Sequence, residues 1–133
     1  MNIVITLPKN LTDAILEGKK LFELRKSMPR FLHQGEDGFF VVDKGTKNIR
    51  CWCRVDEIQI VSGLFSLTKE MCEMLAVSQQ YVENYRSGAK FIYLWRIGKV
   101  KHFEDGAITL ADLIVDRAPQ SFVYCPLSFG ESF

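Results

Sequence analysis

The sequence has no long apolar run. Its 133 residues are 47% hydrophobic and 25% charged, but charges or glycines interrupt every apolar stretch well before the roughly 20 residues that a membrane-spanning helix needs. The first eight residues also lack the basic region and small-residue cleavage site of a secretory signal. We therefore expect a cytoplasmic protein that makes no membrane contact. The length and the balanced composition favour one globular domain over residues 1–133.

The sequence has few residues that bind metals through nitrogen or sulfur or that form disulfides, namely four cysteines and two histidines. Cys51 and Cys53 form a C-x-C pair rather than the C-x-x-C pair of zinc sites, and neither His33 nor His102 has ligand spacing with them. Free thiols are expected in a reducing compartment. Alternate residues of a strand share a face, so Cys51 and Cys53 are predicted to be small buried side chains. The sequence indicates no metal and no cofactor.

The chain also lacks a large excess of charge of either sign. Its formal net charge is +1, so the overall charge does not indicate a nucleic-acid-binding protein. Cations are concentrated locally, however, in residues 19–30. This segment has one acid, Glu23, and five cations: Lys19, Lys20, Arg25, Lys26 and Arg30. Such a run is typical either of a solvated surface or of a basic patch that binds an anion.

The apolar pattern predicts short strands. Period-two alternation and β-branched or aromatic residues indicate strands at 2–7, 20–26, 39–42, 49–61, 91–97 and 121–125. Within 20–26, Phe22 and Leu24 are predicted to form the apolar face. The alternation in the long strand shifts near Glu57, which predicts a bulge there. On the same strand Trp52 lies on the face that looks polar.

Helical spacing of apolar residues predicts helices at 10–18 and 67–76, and a third helix that ends near Gly88. Asn10 and Ser78 are the predicted N-caps. Residues 109–114 fit either a short helix or an extended segment. The order of elements predicts an α+β fold, namely a curved, mostly antiparallel β-barrel with a short helix after the first strand and a helical insertion before the penultimate strand.

One octapeptide, residues 18–25, combines a glycine with closely spaced charges. Gly18 ends the first predicted helix, so Lys20 emerges at a helix–strand junction. Glu23 and Arg25 lie two apart on one strand and can pair. Two interpretations follow from the residues alone. The pair is a surface ion pair of about 0–1 kcal/mol, or the carboxylate orients the guanidinium toward an anion or a base edge.

The octapeptide resembles the G-x-K-x-x-E-x-R signature of the ASCH family, which is PUA-like. The four matching positions are Gly18, Lys20, Glu23 and Arg25. Two further segments are similar to that family. They are a Y-x-x-G at 85–88 before an aromatic strand, and a Pro-Gln-Ser-aromatic-x-Tyr segment at 119–124. The resemblance covers nearly the whole chain, and it implies a PUA-like barrel with a cleft for RNA or a single extruded base.

The resemblance implies two functions of different classes. In a binding module for RNA or a modified nucleoside, Arg25, held by Glu23, would contact a base or a phosphate. The phosphate contacts would come from Lys19, Lys20, Lys26 and Arg30. Aromatic residues that could line the cleft are Trp52, Tyr93, Trp95 and Tyr124. The sequence does not indicate an oligomeric state.

The alternative is a small amidohydrolase that removes acyl groups from the exocyclic nitrogen of cytidine, as one branch of the family does. In that case the catalytic residues would be Lys20 as the lysine and Glu23 at the position of a hydroxyl residue. A lysine base would need burial or nearby cations to lower its pKa. The downstream carboxylate would fall near Glu73. A nuclease would instead need a base or a carboxylate cluster for metal, and the sequence has no such cluster.

Overall fold

The computed structural model describes residues 1–63 and 66–127. These two ranges contain six strands and three helices, in an order that matches the predicted one. The elements are β1 (Asn2–Leu7), α1 (Lys9–Leu16), β2 (Phe22–Arg25), β3 (Gly38–Asp43), β4 (Ile49–Ser62), α2 (Lys69–Leu75), α3 (Gln79–Arg86), β5 (Phe91–His102) and β6 (Phe122–Cys125). The short helix after β1 and the helical insertion before β5 are both confirmed.

All six strands belong to one sheet with the order β2-β5-β4-β3-β1-β6. Strands β1 and β3 run parallel, and every other pairing is antiparallel. The sheet curls into a half-barrel with β2 and β6 at its two edges. This arrangement confirms the predicted curved, mostly antiparallel α+β fold. It also leaves the two edge strands on either side of an opening.

Strand β4 bends where the sequence pattern shifts. Its pairing with β5 changes register between Cys53 and Val55 and again between Val55 and Glu57, which confirms the bulge predicted near Glu57. An extra residue on one strand increases its local twist and bends it. Strands β4 and β5, with 14 and 12 residues, are the longest of the sheet. The bend allows these long strands to follow the curl of the half-barrel.

Both faces of the sheet are buried at β1 and β3. Helix α1 packs into the concave face through Leu11 and Ile15, and residues 103–118 cover part of the other face. Trp52 is buried in that second cluster, and its Nε1 donates to Asn2 Oδ1 at 3.2 Å. The interpretation of its strand face as polar was therefore wrong, because a distant segment covers it. Helices α2 and α3 cover Leu24 of β2, while Phe22 is half-buried beside it.

The helix boundaries follow local capping chemistry. Ser78 is the predicted N-cap of α3, and its side chain accepts a hydrogen bond from the Tyr81 amide. The prediction that Asn10 caps α1 was wrong. This helix begins at Lys9 directly after Pro8, without a side-chain cap, because proline already has a φ suited to the chain entering a helix. Residues 109–114 form hydrogen-bonded turns, neither of the two regular forms that the pattern allowed.

None of the helices in the described ranges has the length and apolar character that crossing a bilayer would require.

Candidate functional site

A pocket of about 480 Å³ lies near the opening between the two sheet edges. Its wall combines residues from both ends of the chain and from the helical insertion, so it exists only after the sheet has curled. The lining residues are Thr6, Leu7, Pro8, Leu11, Lys20, Glu23, Leu24, Arg25, Lys44, Leu75, Val77, Tyr81, Tyr85, Ala118, Pro119 and Gln120. Three positions of the octapeptide, Lys20, Glu23 and Arg25, therefore lie in one concave site of the size that small ligands occupy.

Lys20 is a buried charged side chain, with only 3% of the residue exposed. Its Nζ donates to the Leu75 carbonyl oxygen at 2.9 Å and lies 3.2 Å from Glu23 Oε1. Leu75 is the last residue of α2, where free carbonyls carry partial negative charge that a cation complements. The backbone fixes the same junction, because the Leu21 amide donates to the Met74 carbonyl at 2.7 Å. Lys20 is thus placed by the end of α2 as well as by its position two residues before β2.

Glu23 and Arg25 form the predicted pair. Arg25 Nε donates to Glu23 Oε2 at 2.7 Å, and Arg25 Nη1 reaches the Ser121 carbonyl oxygen at 3.4 Å. Glu23 is 3% and Arg25 is 9% exposed. The arrangement is therefore a buried ion-pair network rather than the surface pair that the residues alone also allowed. Arg25 also lies over the Trp95 ring, 5.9 Å from its centroid, which restricts the guanidinium further.

The carboxylate of Glu23 is ionised at neutral pH. Burial by itself would raise the pKa of Glu23, but the charges of Lys20 and Arg25 and their hydrogen bonds outweigh burial and lower the pKa below its ordinary value. One carboxylate therefore neutralises part of the charge of two cations. We call Lys20, Glu23 and Arg25 the charged triad. It has a net positive charge and sits in the wall of an open pocket.

The other cations of the predicted basic run do not join the triad. Lys19 points to solvent and pairs with Glu17 at 2.8 Å, and Arg30 is exposed. Lys26 lies 4.6 Å from the centroid of the Tyr85 ring, beside the pocket but outside its lining. Two cations of the basic run, Lys20 and Arg25, are therefore buried, and the other three are exposed. Phosphate contacts from Lys19, Lys26 and Arg30 stay a prediction.

The predicted aromatic residues do not line the pocket. Trp52 and Trp95 are buried, and Tyr93 and Tyr124 are half-buried elsewhere. Sequence reasoning missed the pocket's actual aromatic residues, Tyr81 and Tyr85, and the rim cation Lys44. The available signal was the four-residue spacing of the two tyrosines, which places them on one helix face.

Within residues 1–63 and 66–127, no three His, Cys, Asp or Glu side chains come together in a way that could hold a metal ion. Cys51 and Cys53 are fully buried, and their sulfur atoms lie 3.9 Å apart. Their predicted burial on one strand face is confirmed. Glu73, the candidate for the downstream carboxylate, is exposed on α2 and does not line the pocket.

A curled α+β half-barrel with a pocket at its opening is the class of structure that these observations define. No protein-family model matches the sequence, and no curated protein matches it either. Solved structures do match. The structure of ASCH from Zymomonas mobilis aligns with 92% of this chain and 86% of its own, at a TM-score of 0.70 and 18% identity.

Two variants of the Zymomonas mobilis protein give the same result. A tyrosine-to-phenylalanine variant aligns with 98% of this chain and 91% of its own, with a TM-score of 0.73 and 18% identity. A serine-to-alanine variant aligns with 98% and 89%, with a TM-score of 0.71 and 16% identity. The chain therefore has the ASCH fold, and the resemblance predicted from its sequence is confirmed at the level of the fold.

Proposed function

We propose that this protein binds RNA, and that the pocket holds a single nucleotide or nucleoside. The observation that carries the proposal is the charged triad, because three buried charged groups line a pocket that is open to a ligand. Charged groups are rarely buried without a partner or a function. The ASCH fold supports the same function, and such a function agrees with the cytoplasmic location expected from the sequence.

Arg25 has the hydrogen-bonding capacity that a nucleotide needs. A guanidinium carries five N–H donors in a planar fork. The described contacts of Arg25 use Nε for Glu23 and Nη1 for the Ser121 carbonyl. The remaining donors can reach a base edge or a phosphate oxygen in the pocket. Because Glu23 fixes the plane of the fork, little conformational entropy is lost when a ligand binds.

The charge of the pocket favours an anionic ligand. Its lining contains three cations, Lys20, Arg25 and Lys44, and one carboxylate, that of Glu23. The rest of the wall is largely apolar, with Leu7, Leu11, Leu24, Leu75 and Val77 among its members. A nucleotide has both an aromatic ring for the apolar wall and a phosphate for the cations.

The test is the binding of short single-stranded RNA at several salt concentrations by wild type, Arg25→Met and Arg50→Met. Arg50 is the matched control, because it also pairs with carboxylates, Asp13 and Asp43, but does not line the pocket. Arg25→Met is expected to weaken binding roughly tenfold or more, the scale of a hydrogen bond to a charged group. Arg50→Met should change it little, provided that both variants remain folded by circular dichroism.

The salt series separates base contacts from phosphate contacts. Each lost phosphate contact lowers the slope of log affinity against log salt by about 0.7 for a single strand. Lys26→Ala is expected to lower the slope in this way, and the exposed Lys69→Ala, which lies away from the pocket, should not. Binding that is independent of salt, or equal losses in Arg25→Met and Arg50→Met, would contradict the proposed site.

The alternative function is an amidohydrolase that acts on acylated cytidine. It is favoured by the amine and carboxylate of Lys20 and Glu23, which lie 3.2 Å apart inside the pocket. Against it, Lys20 is arranged as a paired cation, and the exposed Glu73 lies outside the lining. The assay is hydrolysis of N4-acetylcytidine, for which we expect no turnover. Hydrolysis by the wild type that disappears in Lys20→Met would show that the enzyme interpretation is right.

A further inference from the structure

The pocket mouth has an aromatic pair that the charged triad does not explain. Tyr81 and Tyr85 are one helical turn apart on α3, and their rings stack with centroids 6.1 Å apart and planes 6° apart. Both residues line the pocket. Helix α3 is anchored by its Ser78 cap and by the fully buried side chain of Val82. The two rings are therefore held on a fixed element before any ligand arrives.

The two tyrosines differ in their surroundings. Tyr85 is half-buried, burial raises the pKa of its phenol, and Lys26 lies over its ring. Tyr81 is 45% exposed, one of the large apolar side chains left in contact with water. Tyr85 thus supports the ring of Tyr81, while Tyr81 presents open aromatic surface. Single-stranded nucleic acids bind to such surfaces by stacking their bases on them.

We infer that the pocket takes one nucleotide from within a single RNA strand, and that the neighbouring base stacks on Tyr81. The inference rests on the proposed function and adds a second contact, for the base next to the nucleotide in the pocket. The pocket, of about 480 Å³, is in the size range of small-ligand sites, so with one nucleotide inside it the adjoining nucleotide would lie at the mouth, beside the exposed ring of Tyr81. Lys26 beside Tyr85 and Lys44 on the rim provide positive charge for the phosphates on either side.

The test compares two ligands with the same number of phosphates. A nucleoside 3′,5′-bisphosphate has one base, and a 5′-phosphorylated dinucleotide has two. A dinucleotide with one abasic position isolates the contribution of the second base. Each ligand is titrated, for all four bases, into wild type, Tyr81→Phe and Tyr81→Leu. The control variant is Phe91→Leu, because Phe91 is 51% exposed and lies outside the pocket lining.

Wild type is expected to bind the dinucleotide about tenfold more tightly than the bisphosphate, within the range known for one stacked base. Tyr81→Leu should weaken binding of the dinucleotide at least about fivefold more than binding of the bisphosphate, because only the dinucleotide has a second base to stack on this ring. Tyr81→Phe keeps the ring and should keep the gain, as should Phe91→Leu. Equal wild-type affinities for the two ligands would overturn the inference, and so would a Tyr81→Leu variant that weakens both alike. Either result leaves the proposed function intact. If the wild type binds neither the bisphosphate nor the dinucleotide, both the inference and the proposed function are overturned.

Discussion

Replacement of Glu23 by glutamine tests whether the charged triad is a buried network. Glutamine has nearly the same size and can still accept one hydrogen bond, but it removes the negative charge that two cations share. Lys20 and Arg25 would then remain buried, at 3% and 9% exposure, without their carboxylate. We expect a large loss of stability, because an uncompensated buried charge is much more costly than a broken surface pair.

The magnitude follows from the geometry. Oxygen atoms of Glu23 lie 3.2 Å from Lys20 Nζ and 2.7 Å from Arg25 Nε, so one substitution breaks both ion pairs. Removal of one partner of a buried pair typically costs 3–5 kcal/mol. The remaining amide oxygen reduces the loss, so we expect about 3 kcal/mol. Stabilities of ordinary domains are about 5–15 kcal/mol, and the variant should therefore be visibly less stable.

The assay is equilibrium unfolding in urea at neutral pH and at a series of acidic pH values. Because the folded-state pKa of Glu23 lies below its ordinary value of 4.5, the stability that it contributes is present above about pH 4.5. That stability is lost as the pH falls through the folded-state pKa. The variant should accordingly lose stability less steeply on acidification. The slope should not vanish, because the pKa values of Asp13 and Asp37 are also lowered.

The control is Glu17→Gln, which removes the solvent-exposed pair with Lys19 and should leave the unfolding midpoint nearly unchanged. A double-mutant cycle with Lys20→Met adds a second check. If the triad is one network, the Glu23→Gln, Lys20→Met double variant should lose less than the sum of the two single losses. A loss below about 1 kcal/mol in Glu23→Gln would refute the reasoning, since the triad would then behave like a surface pair.

Two further predictions concern packing. The thiols of Cys51 and Cys53 are fully buried, and burial raises the pKa of Cys53 well above its ordinary value, so both should react with a thiol reagent far more slowly in native than in unfolded protein. Rapid reaction of the native protein would contradict the described core. Gly38→Ala should destabilise the fold more than Gly98→Ala, as measured by urea unfolding. The added methyl group meets backbone atoms of β4 at Gly38 but the Asp56 carboxylate at Gly98, and a side chain can move aside more easily than a paired strand. A larger loss of stability in Gly98→Ala would show that the β4 backbone beside Gly38 shifts more easily than the Asp56 side chain.

Much of the fold could be predicted because its signals are local. Alternation of apolar residues identified β2 and β4, β-branched and aromatic residues identified β1 and β5, and the shift in the alternation located the bulge of β4. The cap of α3 at Ser78 was evident for the same reason, since a serine side chain bonds to an amide three residues away. The start of α1 was displaced to Lys9 because proline at position 8 competes with Asn10 as the entry to the helix.

The candidate site was predictable only in part. The octapeptide pointed to Lys20, Glu23 and Arg25, and the two-residue spacing of Glu23 and Arg25 on one strand predicted that these two can pair. The family signature singled out Lys20, but the segment did not show that Lys20 is buried in the triad while Lys19 points to solvent. That difference depends on the Leu75 carbonyl at the end of α2, which is 55 residues away in sequence.

By itself, the sequence determined the order of strands and helices, the pairing of Glu23 with Arg25 and the resemblance to ASCH, because these depend on residues a few positions apart. Only the tertiary structure decided that the triad is buried, that Trp52 is covered, and that Tyr81, Tyr85 and Lys44 share a pocket with it. Burial and pocket walls depend on which distant segments pack together, and curling of the sheet brings β2 and the segment before β6 within hydrogen-bonding distance. No local pattern encodes that contact, because its free energy comes from the packing of the whole core.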